Sequence, residues 1–361
     1  MLDKPRRLAL LAEGLFTPLE AKTAVGVLRY RPQEVAAIVD SGHAGRDADA
    51  CVGVGGKIPV VGSLEAAARL GADSLLIGVA PQGGGLPASW RATVEEAVGR
   101  GWDVISGLHE FLADDPVLTA LARRSGATLH DVRRPPARRP VAARRAAGLE
   151  ATVVLTVGSD CNVGKMTCAL ELVEGLRAAG CQAGFVATGQ TGIMIADHGV
   201  AIDAVPADFV AGLIEEQVLE AARAAEVVVV EGQGALHHPG YSGVTLGLLH
   251  GCCPSAMVLC HQAGREQVRA PGKAAAADDP VIPPLDELVR VYESAAGWVH
   301  PARVLGIAVN TADLDENAAR ASLERTRHQT GLPTTDPVRF GVGPLVEAVE
   351  QARRRDRATL G

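Results

Sequence analysis

Short apolar runs rich in Val, Ile and Leu alternate along the chain with stretches whose apolar residues recur at helical spacing. In the first third, Arg7–Ala12, Glu34–Asp40, Lys57–Gly62, Asp73–Val79 and Val104–Ser106 read as strands, with Ser63–Leu70 and Trp90–Arg100 as helices between them. Strands separated by single helices predict a parallel sheet with right-handed crossovers. A second series opens with the strand Ala151–Val157 and the helix Cys168–Ala179. It continues through Val186–Ile193 (a strand running into a turn) and the strands Glu226–Gln233 and Ser255–Cys260 to an Ala-rich helix at Asn317–Arg327.

Between the two series lies Arg133–Glu150 (RRPPARRPVAARRAAGLE), with six Arg, three Pro and no apolar periodicity. Proline disfavours regular helix and clustered arginine holds a chain in solvent, so residues 136–150 read as an Arg/Pro-rich linker containing a short Ala-rich helix at Ala142–Ala147. The chain then divides into an α/β domain over 1–135 and a second over 151–361. In the first domain, glycines at Gly53, Gly55, Gly56 and Gly83 to Gly85 fall where strands end, on the edge of the sheet where open α/β folds bind ligands. Asp40 ends a strand as a ribose-binding acid would in a Rossmann-like sheet. However, the first turn, AEGLFTPLEAKTA, lacks the Gly-x-Gly-x-x-Gly pattern, so dinucleotide binding has little support.

Composition narrows the class. Hydrophobic residues make up 47% of the 361 residues, enough to build buried cores. Three Trp, three Tyr and five Phe leave those cores to Ala, Val and Leu, and Trp90, Trp102 and Trp298 read as core or interface packing. A formal charge of −7 argues against nucleic acid and membrane surfaces as partners. Seven cysteines without zinc-ligand spacing fit a reducing, cytoplasmic setting. The apolar run Leu8–Ala12 is too short for a signal peptide, and no stretch approaches a membrane span.

The strongest chemical signal is GSDCNVGKMT, set between the strand Ala151–Val157 and the helix that follows. Strand, glycine loop with Gly-Lys, then helix is the layout of a P-loop, in which backbone N–H groups and a helix N-terminus cradle phosphate. Gly158, Ser159, Cys161, Asn162, Val163, Gly164, Lys165, Met166 and Thr167 are the expected phosphate-binding residues. The second half therefore reads as a P-loop NTPase-like α/β domain. Five residues rather than four separate the glycines, the form seen in dethiobiotin synthetase, which this loop resembles, including its acid at Asp160. Met166 between Lys165 and Thr167 turns the hydroxyl by about 100° around the helix, which weakens a magnesium role for Thr167.

EVVVVEGQ places Glu231 at the end of an apolar strand, the position of an acid that orients a metal or its water. If Mg²⁺ and ATP are used, Thr167, Asp160 and Glu231 would hold the metal. Gln190, Thr191 and Asp203 lie between these two elements and are candidate substrate contacts. His237, His238 and His261 follow strands without forming a zinc set, and strand alternation sets Cys260 and His261 facing opposite ways.

In order along the chain, GVAPQGGGLPASWR, ISGLHEFLADDP, GSDCNVGKMT, VVVVEGQGAL, LGIAVNT and GLPTTDPVRFG resemble the D-glutamate N-acetyltransferase-like family. The resemblance spans nearly the whole length. It implies a Rossmann-like N-terminal domain joined to a P-loop domain, a homo-oligomer, and transfer of acetyl from acetyl-CoA to the amino group of D-glutamate, a small amino-acid substrate. CHQAGREQVRAPGKAAAADDPVIPP departs from the family pattern, which has a shorter Arg-Gly segment there, and leaves the acceptor's identity open. In the acetyl-transfer reading the P-loop and Lys165 hold CoA phosphates, and Glu231, Asp160, His238 and His261, in that order, are candidates for the general base. Arg265 and Arg269 would meet the acid groups of the substrate. The competing reading is ATP-dependent ligation or phosphoryl transfer of the dethiobiotin synthetase type. A non-enzymatic nucleotide or CoA sensor is a third reading, for which the chain lacks a DNA-binding helix pair or basic face.

Overall fold

The computed structural model describes residues 6–18, 20–81, 83–268 and 279–360. In chain order the strands are β1 (Leu8–Leu11), β2 (Val35–Val39), β3 (Val60–Val61), β4 (Ser74–Ile77), β5 (Asp103–Ser106), β6 (Leu129–Asp131), β7 (Thr152–Gly158), β8 (Ala183–Val186), β9 (Val227–Val230), β10 (Ala256–Gln262), β11 (Arg303–Asn310) and β12 (Thr334–Thr335). The helices are α1 (Lys22–Tyr30), α2 (Ala48–Val52), α3 (Leu64–Arg69), α4 (Arg91–Gly99), α5 (Pro116–Ser125), α6 (Lys165–Ala178), α7 (Gln190–Ala196), α8 (Ala207–Ala221), α9 (Ser242–Cys252), α10 (Leu285–Gly297), α11 (Glu316–Thr330) and α12 (Gly343–Leu360). They form two compact units, Met1–Pro135 with Gly189–Ala204, and Pro136–Thr188 with Val205–Gly361.

The first unit is a parallel sheet in the order β3-β2-β1-β4-β5-β6, the doubly wound Rossmann order. Its central strands β1, β2 and β4 are buried throughout, which is why they read as near-continuous apolar runs. Asp40 is fully buried and accepts the N–H groups of Phe16 and His43 at 3.2 and 3.1 Å, so it shapes the turn after β2. Helix α7 belongs to this unit, although its sequence lies between strands of the second. The hydroxyls of Thr191 and Thr23 share a hydrogen bond of 2.9 Å, and Asp197 pairs with Arg6 and Arg31 at 2.5 Å each. The expected strand over Val186–Ile193 therefore ends at Val186, and Gln190 opens a helix instead of lying in a turn.

The second unit is also all parallel, in the order β12-β11-β10-β7-β9-β8. The P-loop strand β7 is central, flanked by β9 and β10. Most of the Arg/Pro-rich segment over 136–150 is exposed, and the fully buried Glu215 carboxylate of α8 anchors it within the second unit. Glu215 accepts the N–H groups of Ala143 and Arg145 at 3.2 and 2.6 Å and pairs with the Arg145 guanidinium at 2.7 Å. Those backbone donors are taken from any helix over Ala142–Ala147, and Arg144 is left-handed at φ 60°, so only a 3₁₀ turn at Arg145–Gly148 forms. Trp90 and Trp102 are buried as expected, whereas Trp298 is 71% exposed and packs in no core. Among the described residues no helix is long and apolar enough to cross a membrane.

Candidate functional site

Strand β7 is buried along its whole length and delivers the chain into the loop Ser159–Gly164 ahead of α6. The helix begins at Lys165, earlier than the apolar pattern indicates, so Lys165, Met166 and Thr167 all lie in its first turn. Gly164 adopts φ 104°, a conformation that requires glycine. At Gly158 an added Cβ would stand 2.8 Å from Lys165 Nζ and 3.0 Å from Asp160 O, so glycine is what lets the lysine fold over the loop. The buried Lys165 ammonium donates to Asp160 O at 2.6 Å, and burial pushes its pKa down. No side chain caps α6, which leaves its first-turn N–H groups and dipole for a bound anion.

Close approach of two strands positions the acid after β9. A Cβ at Gly232 would lie 1.6 Å from Thr156 O on β7, and the Gly232 N–H donates to Thr156 Oγ1 at 2.9 Å. Glu231 is buried, and its two carboxylate oxygens accept Thr188 N–H at 2.9 Å and Gln233 Nε2 at 3.2 Å. Asp160 is fully buried, accepting the Cys161 N–H at 2.7 Å and pairing with Arg265 Nη1 at 3.0 Å. Arg265 also donates to Cys161 O at 2.7 Å and to Gln262 Oε1. The sequence cast Arg265 as a substrate contact, and the fold gives its guanidinium a buried partner in the loop itself. Arg269 lies outside the described residues.

The histidines differ in what they can do. His261 shares a 2.8 Å hydrogen bond between Nδ1 and Ser159 Oγ. Burial, and then the nearby Arg265 charge, lowers its pKa from 6.5 to about 4, so it is neutral near pH 7. His238 is buried, and its Nδ1 accepts the Gly240 N–H at 3.0 Å. The neutral ring therefore carries its proton on Nε2, 4.0 Å from Asp160 Oδ1, and acts there as a donor. The His237 ring lies against the Ser159 backbone without hydrogen-bond geometry, and burial lowers its pKa. Among the described residues, the buried polar side-chain atoms without a hydrogen bond include Arg265 Nε, the two His237 nitrogens and His238 Nε2, which faces Asp160 Oδ1 at 4.0 Å. These four belong to the P-loop cluster, and buried groups of this kind mark places where a ligand or water completes a site.

Asp160, Cys161 and His238 bring ligand atoms within 4.8 Å of one another. Their surroundings do not suit a metal. The His238 nitrogen on offer carries a proton, and the Asp160 carboxylate already has a guanidinium counter-ion. Glu231 is outside that group, and Thr167 stands on α6, so the expected Thr167, Asp160 and Glu231 set presents carboxylates already engaged by N–H donors. Gln190, Thr191 and Asp203 lie in the first unit, where Asp203 pairs with Arg133.

Two further anchors escaped the sequence. Tyr292 of α10 donates to Gly158 O at 2.7 Å and accepts the Leu236 N–H at 3.2 Å, tying the loop to the region after Glu231. Asp336, which reads as part of a simple Asp-Pro turn, is buried and accepts both the N–H and hydroxyl of Thr311 at 2.9 and 2.6 Å. Only the rarity of tyrosine in this chain marked Tyr292, and nothing in the local pattern marked Asp336.

Fold and site together define a protein with one Rossmann-ordered unit and one P-loop unit. DUF1611, a family described as a domain of unknown function, matches with its Rossmann-like domain over residues 41–135 and its P-loop domain over 140–346, and the chain belongs to this family. A protein of Tritonibacter scottomollicae named D-glutamate N-acetyltransferase is 38% identical over 92% of this chain and 94% of its own. A Pseudoalteromonas protein of the same name is 36% identical over 78% of this chain and 82% of its own. The crystal structure of a DUF1611 family protein from Anabaena variabilis superposes with a TM-score of 0.89 at 40% identity, covering 96% of this chain and 99% of that one. These relatives make the chain an enzyme of the N-acetyltransferase class.

Proposed function

We propose that the enzyme transfers the acetyl group of acetyl-CoA to the amino group of an acidic amino acid of the D-glutamate kind, with the P-loop holding CoA phosphate. The observation that carries this reading is the buried Lys165 ammonium, which makes one hydrogen bond, to Asp160 O, inside an uncapped backbone loop. Phosphate fits there: Gly158 and Gly164 keep the loop open to backbone contact, and Lys165 has two donors left for oxygen. The relatives' name supplies the reaction and the acceptor class.

When bound, acetyl-CoA supplies the acetyl group as a thioester. Lys165 and the N–H groups of the loop and of α6 hold its phosphates. Arg265 Nε and His238 Nε2 make no hydrogen bond and supply donors beside the loop, suited to an oxygen that gains negative charge. Of the four general-base candidates, His261 is the one that lines an open cleft, so it is assigned the proton from the substrate ammonium. The chemistry requires a supply of acetyl-CoA.

Calorimetric titration with acetyl-CoA and, separately, with Mg·ATP tests the reading, together with mass-spectrometric detection of an N-acetyl amino acid. Acetyl-CoA should bind without metal, and product should form without ATP. A strict requirement for Mg·ATP, with ADP released in step with product, would replace this reading with ligation.

A further inference from the structure

A cleft of about 500 Å³ opens in the second unit beside the side chains that brace the P-loop. His261 and Arg265 line it, and these are the residues bound to Ser159 and Asp160. Its opposite wall is one face of α11, where Ser322, Arg325, Thr326 and Gln329 follow helical spacing. Two charges in this cleft stand out. Arg325 and Glu266 both line it and are both exposed, and among the described residues neither forms an ion pair, with the other or with any third group. The remaining charges of α11 behave differently: Arg320 pairs with Glu316 at 2.7 Å, and Arg327 and His328 pair with Glu324 at 2.9 Å each.

An unpaired cation and an unpaired anion lining one cleft match a molecule that carries both signs. We infer that this cleft is the acceptor site and takes a zwitterionic amino acid, its carboxylate at Arg325 and its ammonium at Glu266. The inference rests on the acetyl-transfer reading for its substrate class. A volume of 500 Å³ lies within the range of small-molecule pockets, with room for the amino acid and an incoming acetyl arm. His261 on the shared wall stands where it faces both this cleft and the P-loop residue Ser159. The cleft's lining residues His261, Arg265, Glu266 and Ile282 fall within the sequence that departs from the family pattern, so acceptor preference would diverge here.

The test uses the full-length enzyme with acetyl-CoA and D-glutamate, with glutarate as a competitive inhibitor that keeps the carboxylates and lacks the ammonium. Arg325→Ala should raise KM for D-glutamate about 10-fold or more and weaken glutarate by a similar factor, leaving KM for acetyl-CoA in place. Glu266→Gln should raise KM for D-glutamate and leave glutarate inhibition unchanged. Unaltered acceptor KM in both variants overturns the inference, and so does a change confined to acetyl-CoA, which would assign Arg325 to a CoA phosphate. If the wild-type enzyme acetylates no amino acid, the acetyl-transfer reading fails by itself. Calorimetric binding of D-glutamate to the wild type and the two variants then decides the cleft independently: weakened binding in both supports it, and equal binding in all three overturns it.

Discussion

Replacing Lys165 with methionine separates a phosphate-binding lysine from a structural one, because the two roles predict losses in different quantities. The side chain is 6% exposed, and its ammonium makes one hydrogen bond, to Asp160 O at 2.6 Å. An ammonium has three donors, so two remain for a ligand oxygen, each charge-assisted bond contributing about 1.5–3 kcal/mol. Lys165→Met should therefore weaken acetyl-CoA binding by about 3–6 kcal/mol, roughly 10²- to 10⁴-fold. The ligand-free protein should respond differently. Burial already opposes the charge, as the lowered pKa shows, and methionine fills similar space without desolvating an ion. Loss of the Asp160 hydrogen bond costs about 1 kcal/mol against that gain, so Tm without ligand should stay within about 3 °C. Titration calorimetry with acetyl-CoA and thermal unfolding without ligand read the two quantities. Affinity within about 3-fold of wild type, together with a Tm fall of many degrees, would refute the reasoning and make Lys165 a structural residue.

Two further outcomes follow from the same geometry. Gly232→Ala places a methyl 1.6 Å from Thr156 O, a backbone atom of the central strand, and should abolish soluble folded protein; Gly99→Ala in α4, with nothing within 4 Å, should be neutral or stabilise by up to about 1 kcal/mol, as denaturant titration would show. His261 favours its neutral form in the fold, so its share of stability is fully present above pH 6.5, is lost as pH falls from there toward about 4, and amounts to about 3 kcal/mol at most; His261→Gln should flatten that part of the stability–pH curve, and an unchanged slope would count against the buried neutral imidazole.

Local chemistry was legible in the sequence, and long-range pairing was not. The P-loop could be read because strand, loop and helix are contiguous, and each residue's role follows from its neighbours. The two parallel sheets could be read for the same reason, from apolar strands separated by helices. Strand order, which sets β9 beside β7 and brings Glu231 to the loop, has no local signature. Nor has the placement of α7: its 3.6-residue pattern was hidden in a short run, and the groups that bind it to the first unit, Thr23 and Arg31, are 168 and 166 residues from Thr191 and Asp197. Glu215 shows the general difficulty. A glutamate in an amphipathic helix reads as solvated, yet this one is fully buried because a proline- and arginine-rich segment brings N–H donors to it from 70 residues away.

The pairing of Asp160 with Arg265 bears on why a P-loop would serve acyl transfer. In metal-dependent phosphoryl transfer, a loop acid and a strand-end acid are of use when their oxygens are open to a cation. Here the Asp160 carboxylate receives a guanidinium from β10's trailing loop at 3.0 Å, and both Glu231 oxygens receive N–H donors. The charge of Asp160 is thus balanced within the chain, and that counter-ion cannot leave with product. Lys165 and the N-terminus of α6 remain to meet phosphate, while Arg265 Nε and His238 Nε2 remain as donors. Under the proposed acetyl transfer, such a site would hold a phosphorylated carrier without having to polarise its phosphate, which is the requirement of a donor whose reactive bond is a thioester far from the phosphates.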